Sequence, residues 1–151
     1  MPSALRFRNI DGSPDDPVAT WPFEGVLAAL ERGTLPDWAR LTRAIDDDPW
    51  GLVAREVEEA IALDLPYGLA ALFAQVITTA RARTSQFERQ AVATEIRNLL
   101  GHSRLSRSEF AERIGTSASR LSTYLSGKVT PSAALMVRMR RLVDHLLSEH
   151  A

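Results

Sequence analysis

The sequence predicts an all-α protein in two domains, a four-helix domain over residues 1–84 and a second helical domain over 85–151. Three observations predict it. Apolar residues recur at three- and four-residue spacing through most of the chain, the helical period, instead of alternating as in strands. Pro, Gly and Ser fall where helices would begin or end. The charge also changes sign along the chain. Residues 1–80 hold 6 Arg/Lys and 13 Asp/Glu, net −7, and residues 81–151 hold 12 and 6, net +6.

Residues 5–10 (LRFRNI) alternate weakly and suggest a short strand, and 11–17 (DGSPDDP) has the composition of a loop. A first helix over 21–33 places Val26, Leu27 and Leu30 on one face, with Gly33 at its C-cap. Over 34–48, Thr34 is an N-cap, Pro36 lies in the first turn, and Trp38, Leu41 and Ile45 form a stripe that Pro49 terminates. Residues 49–64 stripe Val53, Val57 and Ile61. Residues 66–83 are apolar on most faces and should be the central helix of a single core. The boundary near Thr84–Gln86 has no Gly/Pro-rich linker, which allows a kink or a continuous helix.

The second domain opens with a helix over 87–101, with Ala91, Ile96, Leu99 and Leu100 available for one face. Two short helices follow, within 106–115 and 116–127. A long one then runs from Ser132 to about His150, striped by Leu135, Met139, Leu142 and Leu146. Ser106 with Glu109 three residues on is a capping-box pattern. Phe110, Ala111 and Ile114 point inward, and Gly115 follows where a tight turn needs a positive φ. Ser117 caps the next helix, whose inward side is Leu121, Tyr124 and Leu125. A small residue at the crossing, a glycine in the turn and a leucine packing across it are the spacing of a helix-turn-helix.

Composition and motifs exclude several function classes. There are no cysteines, so disulfides, thiolate catalysis and cysteine metal sites are ruled out. The start lacks a secretory apolar core, and no run approaches the ~20 apolar residues of a membrane span. A cytoplasmic protein with no membrane association is expected. His145 and His150 are five apart, so they do not share a helix face as paired metal ligands would. Asp46–Asp48 lack the spaced ligands and glycine of a calcium loop and read as a solvated helix end. No nucleophile–base pair, phosphate-cradling loop or cofactor motif occurs. No catalytic residue, metal or cofactor is therefore expected, and the chain is not expected to be an enzyme.

The stretch LSRSEFAERIGTSASRLSTYLSGKVTPS resembles the helix-turn-helix of lambda-repressor-like (Cro/cI, or XRE) regulators. The resemblance covers about Gln86 to Leu142. It rests on Leu105, Ser106, Phe110–Ala111, Ile114–Gly115, Ser117, Leu121, Gly127–Lys128 and Pro131–Ser132. The chain departs from that family in having Arg107 where Gln is common, Ala118 where a larger polar residue is common, and one long terminal helix instead of two short ones. The resemblance implies double-stranded DNA as partner, with the helix at 117–126 in the major groove. It aligns Ala118, Ser119 and Thr123 with base-reading positions, and Arg107, Ser117, Ser126 and Lys128 with phosphate-holding ones. Ser122 shares the outward face, and Arg120 is a candidate for a guanine or a phosphate. Small hydroxyls let a helix approach base edges closely while donating and accepting hydrogen bonds. No Asp or Glu lies between Gly115 and Asp144 to repel phosphate.

These features point to a DNA-binding transcriptional regulator, most simply a repressor, acting as a homodimer. The resemblance does not extend to the acidic first domain, which is expected to serve dimerisation or to bind a partner or ligand. The competing expectation is an antitoxin whose first domain binds a toxin while the helix-turn-helix autoregulates the operon. A small-molecule sensor is a third. For dimerisation, the first domain with its WP and PW segments at 21–22 and 49–50 is favoured over Leu146 and Leu147.

Overall fold

The computed structural model describes residues 4–66 and 68–151. Among these residues there is no strand. A 3-10 turn at Val18–Thr20 precedes seven α-helices: α1 (Phe23–Arg32), α2 (Leu35–Asp47), α3 (Leu52–Ile61), α4 (Leu69–Ser103), α5 (Arg107–Ile114), α6 (Ala118–Leu125) and α7 (Ala133–Glu149). The chain is all-α. It divides into two compact units, Met1–Thr84 and Ser85–Ala151, and α4 contributes residues to both.

The first unit packs α1, α2, α3 and the start of α4 around one core. Val26, Leu30, Leu41, Ile45, Val57 and Phe73 are almost completely buried in it. Burying each such side chain contributes about 1.5–3 kcal/mol. α2 starts where Thr34 and Asp37 form a reciprocal capping box, with Thr34 N donating to Asp37 Oδ2 at 3.0 Å. Residues 5–10 form no strand. Leu5 instead enters the core, and the Phe7 ring meets Trp21 edge-on at 5.3 Å. The following loop is pinned by Arg40, which donates to Pro14 O at 2.6 Å and to Asp16 O at 2.8 Å while lying over Trp21.

One expectation about the packing of this unit is corrected. α4 is not apolar all round within the core. Leu69, Phe73, Ile77 and Ala80 form a single buried stripe, and Leu72 is half exposed on another face. Alanines on the remaining faces raise the hydropathy of this segment without being buried. The tryptophans also divide. Trp21 is buried, Trp38 packs on the core and donates to Ala29 O at 2.8 Å, and Trp50 is 50% exposed. Trp50 precedes α3, so it misses that helix's inward stripe. Tyr67, within the helical segment expected at 66–83, lies outside the described residues.

The second unit encloses a separate core, with Ile96 from α4, Phe110, Ala111 and Ile114 from α5, Leu121 and Leu125 from α6, and Met136, Met139, Leu142 and Val143 from α7. Ala91 does not join it. Val92 and Ala93 do the inward work near that position. Ala91 is five residues from Ile96, about 140° round the helix, whereas 92 and 93 lie within one turn of it. α7 is one uninterrupted helix, capped by Ser132 Oγ, which accepts from Leu135 N at 3.1 Å.

Candidate nucleic-acid interface

The site is built on the α5–turn–α6 hairpin. Ser106 Oγ accepts from Glu109 N at 3.1 Å and starts α5. Gly115 ends it with φ +79, a left-handed conformation that non-glycine residues rarely adopt. Thr116 N then donates back to Ala111 O at 2.9 Å, closing the turn. Ser117 Oγ accepts from Arg120 N at 3.1 Å and starts α6 at once. Two serine caps and one glycine therefore fix the angle at which α6 leaves α5. Ala111, 1% exposed, allows the two helices to approach closely.

Six of the nine sequence-derived site residues, Ser117, Ala118, Ser119, Arg120, Ser122 and Thr123, lie within two turns at the start of α6. Ser126 and Lys128 follow in the next turn, and Arg107 is the first residue of α5. Ala118, Ser119 and Ser122 are all exposed. Ser119 and Ser122, one turn apart, form an outward stripe about 100–160° round from buried Leu121, whereas Ala118, in the first turn, lies on the leucine side. Arg120, also exposed, is about 100° on from Ser119 and so flanks that stripe.

The hydroxyls are not equivalent. Those of Thr123 and Ser126 are engaged inside the fold. Thr123, half-buried, donates to Arg120 O at 2.6 Å. Ser126 Oγ donates to Thr123 O at 3.1 Å and accepts from Lys128 N at 3.3 Å, which shapes the turn that presents Lys128. Thr123 can still offer its oxygen lone pairs and methyl group.

Two arginines unnoticed in the sequence hold the hairpin from outside. Arg138 of α7 donates to Ile114 O at 2.7 Å, at the C-terminal end of α5, and its guanidinium packs against Gly115. Arg97 of α4 donates to Leu125 O at 2.6 Å, at the C-terminal end of α6, and to Thr94 Oγ1 at 3.0 Å. Each places a cation where unpaired carbonyls and the helix dipole carry partial negative charge. They lie 24 and 28 residues from their acceptors, so no local pattern points to them. Gly127, φ +78, closes the site's far edge, where a Cβ would come within 2.7 Å of Gln90 Nε2. Arg140 pairs with Glu95 at 2.7 Å, and this hydrogen bond holds the Glu95 carboxyl below its ordinary range.

Residues 80–146 match the family described as helix-turn-helix domain. No curated protein and no solved structure matches the chain. The second unit carries a helix-turn-helix domain. Among the described residues no helix is long and apolar enough to cross a membrane.

Proposed function

We propose that the chain is a sequence-specific DNA-binding transcriptional regulator of the lambda-repressor-like (Cro/cI, XRE) type, most simply a repressor, and not an enzyme. The observation that carries this is the outward side of α6. It presents Ser119 and Ser122, with Ala118 exposed in the first turn beside them, on a rigidly capped hairpin with no carboxylate from Thr116 to Val143. In this reading α6 enters the major groove of double-stranded DNA. Ala118, Ser119, Ser122 and Thr123 meet base edges there. Arg107, Ser117, Ser126 and Lys128 hold phosphates, and Arg120 takes a guanine or a nearby phosphate. Ser117 stands at the N-terminus of α6, where free backbone amides favour an anion.

One hairpin spans few base pairs, so the protein acts as a homodimer on half-sites about one helical turn apart. The first unit is the favoured dimer contact, although only the PW segment at 49–50 keeps its tryptophan exposed. Leu147, 54% exposed on α7, supports the competing contact. The place of action is the cytoplasm. Binding-site selection with the full-length chain tests the proposal. A pseudo-palindromic consensus is expected, and a pool that stays random after repeated rounds would overturn it.

The acidity of the first unit favours a second reading, an antitoxin whose first unit covers a basic toxin while the helix-turn-helix controls its own operon. Chromatin immunoprecipitation separates the two. Occupancy confined to the protein's own promoter fits the antitoxin, and distributed sites fit a regulator.

A further inference from the structure

We propose that a groove on the first unit, between the 3-10 turn, α2 and the start of α3, docks a basic amphipathic segment of a partner protein. The groove lies on a different unit from the helix-turn-helix and does not depend on the DNA reading. It encloses about 480 Å³. Val18, Ala44, Leu52 and Val53 give it an apolar lining, and Leu52, on the first turn of α3, is 52% exposed.

Charge identifies the occupant. Asp47 and Asp48 line the groove beside Asp46, at the C-terminal end of α2. That helix has no basic residue in its last turn, so three carboxylates stand at the negative end of a helix dipole. None of the three makes an ion pair within 4 Å among the described residues. A cation docked there relieves the repulsion, while a polyanion increases it. Arg40, which also lines the groove, is already engaged with two backbone carbonyls. Arg40 and Arg43 together offset two of the three negative charges, which leaves this cluster net −1. The wider surface has the same sign, since residues 1–84 hold 8 Arg/Lys and 13 Asp/Glu, net −5. A helix with leucine-like anchors every three or four residues and Lys/Arg beside them matches both features.

The test uses the full-length protein and an 18-residue helical peptide with leucine on one face and lysine on the other, followed by NMR and calorimetric titration. The expected result is saturable binding, with the largest shifts at Ala44, Leu52 and Val53. Affinity should fall at least tenfold in Leu52→Ser and in the double variant Asp47→Asn/Asp48→Asn, each checked for an unchanged melting profile. The same peptide with glutamate for lysine should not bind. Four results would overturn the proposal. One is equal binding by both variants. The second is shifts spread over Glu58 and Glu59 instead of the groove. The third is saturation of the same resonances by phenethylamine as tightly as by the peptide, which would mark a small-amine site. The fourth is concentration-dependent broadening of the groove resonances without peptide, which would mark a second copy as the occupant.

Discussion

Lys128→Ala and Arg97→Met each remove one positive charge from the second unit, and a salt titration should separate them. Arg107, Arg120 and Lys128 are the three cations of the proposed interface, all exposed. A dimer would bring six to the phosphates. Each neutralised phosphate contributes about −0.9 to the slope of log K against log salt, so the slope should be about −5. Between 50 and 200 mM salt that costs about 10³ in affinity. Lys128→Ala removes two contacts per dimer, flattening the slope by about 2 and reducing the loss to about 10². The Arg97 guanidinium is occupied by Leu125 O at 2.6 Å and Thr94 Oγ1 at 3.0 Å. Arg97→Met should therefore leave the slope unchanged and lower folding stability by about 1 kcal/mol, the scale of a hydrogen bond to a charged group discounted for solvent access. Fluorescence anisotropy on a labelled selected site, across a potassium chloride series, measures both. Equal flattening by the two variants would show that Arg97 reaches DNA and that its role in holding α6 is misassigned. A flat wild-type slope would remove the basis for phosphate contacts altogether.

Leu121→Ala, which truncates a completely buried side chain in the second core, should cost about 2–5 kcal/mol in urea denaturation. Gly115→Ala forces an L-residue to φ +79 and should cost about 1–2 kcal/mol by the same measurement. In binding-site selection, Ser119→Ala should relax preference at one or two base pairs, whereas Arg107→Ala should weaken all sequences alike. Glu56 gives a pH test. Its Oε2 is buried without a hydrogen-bond partner, and burial, then the carboxylates of Glu59 and Glu24, push its pKa up. The charged form is penalised in the fold, so the penalty is absent in acid and develops as pH rises through the raised value. Glu56→Gln should raise the melting temperature at pH 7 and leave it unchanged near pH 4. A variant equally stabilised at both pH values would refute the sign.

Much of the fold was legible because its signals are local. Thr34, Ser106, Ser117 and Ser132 all cap helices, and Gly115 has the positive φ its place in the turn required. The spacing of Phe110, Ile114, Leu121 and Leu125 gave the inward side of the hairpin, because helical period and burial agree there. Legibility failed where tertiary context decides. Residues 5–10 alternate like a strand, yet no neighbouring strand exists among the described residues to pair with them. Residues 69–80 are apolar enough for a central helix but meet the core on one side only. Arg97 and Arg138 look like two more surface cations in a basic region. Only folding brings them to carbonyls at the ends of other helices.

The division of labour on α6 has an evolutionary consequence. Leu121 and Leu125 anchor the helix, while Thr123 and Ser126 are tied to backbone carbonyls. Ala118, Ser119 and Ser122 are the exposed side chains on which the rest of the unit leans least. Substitutions at these three positions are nearly free of folding cost, since surface changes away from caps and cores stay within about 0.5 kcal/mol. On the proposed reading, a duplicated gene acquires a new operator by changing these three codons without compensating changes in the core. On the same reading, a combinatorial library at these three codons yields orthogonal variants on one unchanged scaffold.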